Sequence, residues 1–244
     1  LGQYGLVEAI DVSELVPTTT TIPIPKRDDS NRPRPSLVVS VGVAFLVVAA
    51  FGTAALQRGR GVDASELDRI IDVLEVDSAD VVADVGAGDG RFAAALSSVV
   101  GPHGHVYATE VDSNDVERIE RRVRDESLSN VTVITGTARD TGLPAGCCDA
   151  VLLRRVYHHF TDPEAMSASL RRTLTHDGLL LVIDFDNRSE WGRPSGIPDS
   201  REGHGIGRAL LRSEMEKAGF EVVADMDWRG GDYAVLFRLG RVID

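Results

Sequence analysis

The sequence predicts an α/β domain built on a mainly parallel sheet, preceded by a long apolar segment. Three observations predict it. From residue 62 onward, short apolar runs alternate with helical patterns, as expected when helices cover a sheet. The run Val81–Val85 breaks into a glycine-rich turn and then a helical pattern. The run Leu179–Phe185 is apolar almost throughout, which fits a strand buried on both faces.

The elements follow in order. Asp63–Leu74 places Leu67, Ile70, Ile71 and Leu74 at helical spacing. Val81–Val85 is the first strand and Arg91–Val99 the next helix. His105–Val111 is the second strand, and Ser113–Asp125 a charged, exposed helix. Val131–Thr135 and Ala150–Arg154 are the third and fourth strands. Pro163–Leu174 is helical, Leu179–Phe185 is the fifth strand, and Arg208–Ala218 is the last long helix. Glu221–Met226 and Tyr233–Leu239 close the chain as a hairpin around Gly230–Gly231. No internal repeat is present.

Composition bounds the function. The chain has 244 residues and an apolar fraction of 43%, enough for a real core. Lys and Arg total 26 against 38 for Asp and Glu, a net charge of -12. That excludes nucleic-acid binding through bulk charge, which requires neutralising phosphates. Aromatic residues make up 5%, too few for a platform that stacks bases. The two cysteines, Cys147 and Cys148, are adjacent, so neither a disulfide framework nor CxxC zinc spacing is available. They read as two small side chains near a strand start, in keeping with a reducing compartment.

Three parts precede or contain the chemistry. Residues 1–36 carry Thr and Pro clusters without an apolar period and read as a flexible tail. Residues 37–56, LVVSVGVAFLVVAAFGTAAL, hold no charge over 20 positions. As a helix they would span about 30 Å, the thickness of a bilayer core. Arg32 and Arg34 stand before them and Arg58 and Arg60 after, placed for the two headgroup regions. The expectation is one transmembrane helix. A signal peptide would need a shorter leader, and a buried core helix is seldom apolar all round for so long. Flanking charge does not set the orientation. Residues 57–61 form a short linker, and 62–244 the α/β domain.

The chemistry starts where the first strand ends. In VVADVGAGDGRFA (81–93), Gly86, Gly88 and Gly90 allow a tight turn and close approach of a ligand. The turn feeds a helix N-terminus, whose free N–H groups favour an anionic group. The spacing is DxGxGxG; a dinucleotide fingerprint would need glycine where Arg91 stands. Glu110 lies 20 residues beyond Gly90 at the end of the second strand, where a carboxylate can accept both hydroxyls of a ribose.

With these residues in place, the sequence resembles the class I S-adenosylmethionine-dependent methyltransferases over residues 62–244. The motifs are DVGAGDG (84–90), YATEVD (107–112), the stretch 136–163 around the fourth strand, GLLLVIDF (178–185) and EMEKAGFEVV (214–223). The resemblance implies a Rossmann-like sheet of seven strands, mostly parallel, in the order 3-2-1-4-5-7-6, with helices on both faces and the seventh strand antiparallel. It implies that Asp84, Gly86, Ala87, Gly88 and Gly90 hold the methionine part of S-adenosylmethionine and Glu110 the ribose. Relatives often carry an acid directly after the glycine at position 136. Here that place is Thr137, and the resemblance leaves two readings: Asp140 meets the adenine amine, or backbone alone holds the adenine. Arg154, at the end of the fourth strand, is a further donor-site candidate.

Ligands of open α/β sheets lie beyond the C-terminal strand ends. That places His158, His159 and Asp184 near the donor methyl as candidate catalytic groups. Adjacent histidines have diverging side chains and no third ligand is specified, so no metal is expected. The Gly/Pro-rich stretch 187–207 is long for a connection and reads as a lid or binding loop, with Trp191 and His204 its informative side chains. The whole reads as a single-pass membrane protein with a catalytic domain on the cytoplasmic side, where the donor is made, acting on a small or lipophilic acceptor. The competing readings are a non-catalytic scaffold of the same fold and an NAD-dependent oxidoreductase. Arg91 counts against the latter.

Overall fold

The computed structural model describes residues 61–240 apart from 200 and 202. The expected tail (1–36), the apolar span (37–56) and residues 57–60 lie outside the described residues. Among the described residues, no helix is long and apolar enough to cross a membrane.

The order of elements is α1 (Ala64–Leu74), β1 (Val81–Val85), α2 (Arg91–Val100), β2 (His105–Glu110), α3 (Ser113–Asp125), β3 (Val131–Thr135), β4 (Cys148–Arg154), α4 (Pro163–Thr173), β5 (Leu174–Phe185), α5 (Arg208–Lys217), β6 (Phe220–Asp227) and β7 (Asp232–Leu239). The strands form one seven-stranded sheet in the order β3-β2-β1-β4-β5-β7-β6. β1 through β5 pair in parallel, whereas β7 runs antiparallel to both β5 and β6. The topology is the one the sequence implied.

The apolar strands have no solvent face because helices cover both sides. In β4 and β5, Leu152, Leu181 and Ile183 pack with Leu67, Ile70 and Leu96 from α1 and α2. Their neighbours Val151, Leu153, Leu180 and Val182 pack with Leu170, Leu211 and Met215 from α4 and α5. Each fully buried aliphatic side chain stabilises the fold by about 1.5–3 kcal/mol before chain entropy is counted.

Two local readings change. β5 begins at Leu174, directly after α4, because Leu174 pairs with Cys148 across a bulge between Cys148 and Ala150. Cys147 and Cys148, expected as two independent small side chains, are joined as a disulfide between neighbours. Gly146, at φ 62°, supplies the turn in front of the pair.

Candidate active site

The glycine turn is built against β2. The N–H groups of Gly86 and Ala87 both donate to the Thr109 carbonyl at 3.0 Å. The Gly88 N–H donates to Glu110 Oε1 at 2.9 Å, and the other carboxylate oxygen of Glu110 accepts from the Val111 N–H at 3.0 Å. Gly86 has φ 73°, and a Cβ on it would run into Val156, so this position admits glycine alone. Gly88, at φ 59°, has open space where a Cβ would stand. The turn therefore presents bare backbone to that space.

Electrostatics at the turn are acidic, against the expectation of an anion site. The α2 N-terminus starts at Gly90, which has no side chain to cap it. The chain's own carboxylates serve that end instead. Asp84 accepts from the Ala93 N–H, and Asp89 Oδ1 accepts from the Arg91 N–H at 3.3 Å. Asp84 is buried, and burial first, then the nearby Glu110 carboxylate, push its carboxyl up to about 7. Its Oδ2 has no hydrogen-bond partner among the described residues. Asp89 is paired with Arg91 at 2.8 Å, so Glu110 is the carboxylate of the three that an incoming ligand meets at the cleft; it would repel a pyrophosphate and stabilise a sulfonium or ammonium group.

A cleft opens over the C-terminal ends of β1 to β4. Gly86, Glu110, Val111, Thr137, Asp140, Val156, His159 and Met166 are among its lining residues. Asp140 borders the cleft, but its carboxylate is occupied elsewhere. It accepts from the Gly142 N–H at 2.8 Å, the Ser169 hydroxyl at 3.2 Å and Arg172 at 2.7 Å. Asp140 thus braces the loop after β3 against α4 while bordering the cleft. Arg154 lines a second cavity, with Arg91, Arg155 and Arg229. Its guanidinium grips the buried Glu66 through two bonds of 2.9 and 3.0 Å.

The candidate catalytic groups separate. His159 is exposed and lines the cleft. His158 and Asp184 stand behind it, 2% and 0% exposed, so neither touches an acceptor directly. His158 Nδ1 lies 2.7 Å from Asp184 Oδ1. Desolvation, then the neighbouring His158 and His204 rings, hold the His159 imidazole down to about 4. Desolvation also lowers His204.

The geometry differs from the grounds on which no metal was expected. The short 3-10 turn Tyr157–His159 does not splay the adjacent rings; their centroids are 4.1 Å apart. The missing third imidazole is His204, whose ligating atom lies within 4.8 Å of those of His158 and His159. Sequence offered one signal for it. His204 stands between Gly203 and Gly205, and a Cβ at Gly205 would approach the Phe185 ring and carbonyl to 2.9 Å, so the loop must pass close to the end of β5.

The long connection 187–207 is tied down rather than free. Arg188 and His204 exchange backbone hydrogen bonds of 2.7 and 3.3 Å. Arg201, 2% exposed, donates to the carbonyls of Tyr157 and Phe160 and to Glu214 at 2.8 Å. Trp191 is 56% exposed, with Arg188 stacked over its ring at 4.4 Å. Sequence reading missed Arg201 and Glu66, since a lone buried charge carries no signal until its partner is located.

The sheet order is that of a Rossmann-like methyltransferase fold, and the comparisons report what the chain is similar to. Residues 83–182 match a family described as "Methyltransferase domain". A protein-L-isoaspartate O-methyltransferase of Ignicoccus hospitalis is 31% identical over 58% of this chain and 64% of its own length. A ubiquinone/menaquinone biosynthesis C-methyltransferase of Vibrio campbellii is 28% identical over 43% of this chain and 40% of its own. The chain thus spans less than two thirds of these curated relatives. A solved S-adenosylmethionine-dependent methyltransferase of Aquifex aeolicus superposes with a TM-score of 0.61 at 22% identity, over 70% of this chain and 88% of that one; it is similar in fold. The chain is thus similar to methyltransferases in sequence over part of its length, and to an S-adenosylmethionine-dependent methyltransferase in fold.

Proposed function

We propose that the protein is a membrane-anchored methyltransferase that moves the methyl group of S-adenosylmethionine to a small or lipophilic acceptor. The observation that carries the donor is the acidic turn. Glu110, which lines the cleft, bonds the bare backbone of Gly88, and Asp84 lies buried at the end of β1 with one carboxyl oxygen unbonded among the described residues, an arrangement that suits a cationic donor better than an NAD pyrophosphate. Glu110 takes the ribose hydroxyls, and Asp84 the methionine ammonium. The exposed Val111 side chain, 58% accessible, offers an apolar face to the adenine.

The chemistry asks for alignment more than for acid–base help. The sulfonium methyl is already activated, so transfer is an in-line displacement in which the acceptor atom forms its bond as the C–S bond breaks. His159 is the side chain placed to meet an acceptor proton at the cleft. A quinone-pathway C-methyltransferase and a protein carboxyl methyltransferase stand among the relatives; the apolar segment 37–56 favours the lipophilic acceptor. The full chain is incubated with methyl-labelled S-adenosylmethionine, a lipid extract, a soluble metabolite pool and isoaspartyl peptide. Release of S-adenosylhomocysteine with label in the lipid fraction is the expected result. Label in soluble acceptors alone overturns the lipophilic reading, and no release with any pool overturns the activity.

A further inference from the structure

Methyl transfer from a sulfonium does not require three imidazoles, yet three gather at the edge of the cleft. The side-chain nitrogens of His158, His159 and His204 lie within 4.8 Å of one another. His158 is fixed from behind. Its Nδ1 meets Asp184 Oδ1 at 2.7 Å, and the same carboxylate accepts from the backbone N–H of Phe185 at 2.9 Å and of His158 at 3.2 Å. Asp184 is wholly buried, so its orientation is set by those bonds. With Nδ1 engaged, Nε2 is the nitrogen His158 has left to offer. A buried carboxylate on one ring nitrogen, with the other free, is how proteins orient an imidazole that binds a metal.

We propose that His158, His159 and His204 form a binding site for a divalent cation of the zinc type, oriented by Asp184. An all-nitrogen donor set selects Zn2+ and its first-row neighbours, because Mg2+ and Ca2+ take oxygen ligands. At a Zn–N distance of about 2.0–2.1 Å, tetrahedral geometry sets ligand nitrogens about 3.3 Å apart. The widest separation here therefore closes by about 1.5 Å on binding. His159 is exposed and His204 half-buried on the 187–207 loop, so these two rings have room to make that movement while His158 stays fixed. Three protein ligands leave a coordination position for an oxygen. Since His159 also lines the cleft, the class of ligand that fits is an acceptor with a phenolate, enolate or carboxylate oxygen. That last step rests on the methyltransferase reading; the metal site itself does not.

The test uses the full chain, stripped with a chelator and titrated with Co2+, then with Zn2+ in competition. The expected result is one equivalent of Co2+ with the strong visible bands of four-coordinate cobalt, displaced by Zn2+. His204→Ala and His159→Ala each lower the affinity at least 100-fold, and Asp184→Asn lowers it 10–100-fold. The double variant His103→Ala/His176→Ala, which alters two exposed histidines elsewhere, leaves binding unchanged. His204 and His159 are not core residues, and near-ultraviolet circular dichroism checks that their variants keep native packing. No stoichiometric binding, or bands that persist in both His204→Ala and His159→Ala, overturns the proposal. Binding is read without turnover, so its failure is distinct from failure of the methyltransferase reading.

Discussion

Glu110 Oε1 accepts the Gly88 N–H at 2.9 Å, so the acid that ends β2 is held across the glycine turn that ends β1. In the proposed donor site, the ribose and methionine parts would meet at that junction. Removing the carboxylate deletes two charge-assisted bonds to the ribose and leaves the Gly88 N–H to water. Glu110→Ala lowers S-adenosylmethionine affinity by about 2–4 kcal/mol. Gly88→Val does so by another route, placing a side chain in the open space above the turn at a φ of 59°. Calorimetric affinities equal to wild type in both variants would remove the donor site from this turn.

Asp84 gives a pH signature. Its carboxyl is raised from 3.8 to about 7 in the folded chain, so the native state holds a proton that the unfolded chain has released. The resulting stabilisation is complete below pH 3.8 and lost as pH rises to about 7, at up to about 1.4 kcal/mol per unit. His159 opposes it. Its imidazole is lowered from 6.5 to about 4, so protonation favours the unfolded chain and stability rises with pH through that window. Wild type is accordingly flattened between pH 4 and 6.5. Asp84→Asn removes one of the two opposing slopes, and its melting temperature should climb with pH over that range relative to wild type. Parallel melting curves for the two proteins would show that Asp84 is ionised normally.

Asp140 tests a sequence expectation. Its carboxylate serves Gly142, Ser169 and Arg172, so it braces the loop after β3 against α4. Asp140→Ala should leave donor affinity within about twofold of wild type while lowering stability by about 1–2 kcal/mol, the scale of hydrogen bonds with one charged partner. A tenfold loss of affinity at unchanged stability would return Asp140 to the adenine.

These cases show what was legible in the sequence. The elements followed from local signals, apolar runs such as Val81–Val85 set between glycine turns and helical patterns, whereas the strand order came from the family resemblance. Asp84, the glycines and Glu110 were legible because each sits at the end of its own strand. What escaped depends on meetings between distant segments. His204 joins His158 only because the 187–207 loop folds back along Phe185. Asp140 is bonded by two residues of α4, and Glu66 of α1 receives Arg154 from β4 across 88 positions. Nothing in the spacing of these residues announces such partners.

Arg201 fastens the loop that carries His204. Its side chain is fully buried and bonded to Glu214 and two carbonyls. Arg201→Met leaves Glu214 with less compensation and frees the segment over α5. The expected loss is roughly 3 kcal/mol in urea unfolding, since breaking one side of a buried ion pair costs about that much. Limited proteolysis should then cut within 187–207, where wild type resists. A variant with wild-type stability and the same protease resistance would show that other contacts hold the loop.

The proposed anchor, the apolar segment 37–56, makes a prediction about where the protein works. Its 20 uncharged residues match the length of a membrane-spanning helix, and only residues 57–63 separate them from the start of α1 at Ala64. A linker that short keeps the domain near the headgroups and raises its effective concentration over membrane-dissolved acceptors without any new contact. The domain's acidity opposes docking on anionic lipid, so under this proposal the anchor would supply the attraction that surface charge does not. The full chain should resist carbonate extraction from membranes. A chain beginning at residue 61 retains every strand of the sheet and should be soluble with unchanged donor affinity. On acceptors dispersed in vesicles the anchored form should turn over at least tenfold faster than the truncated one, while the two are equal on a soluble acceptor. A full chain that leaves the membrane with carbonate would refute the anchor. Equal rates on vesicles would show that the segment, though anchoring, has no bearing on the substrate.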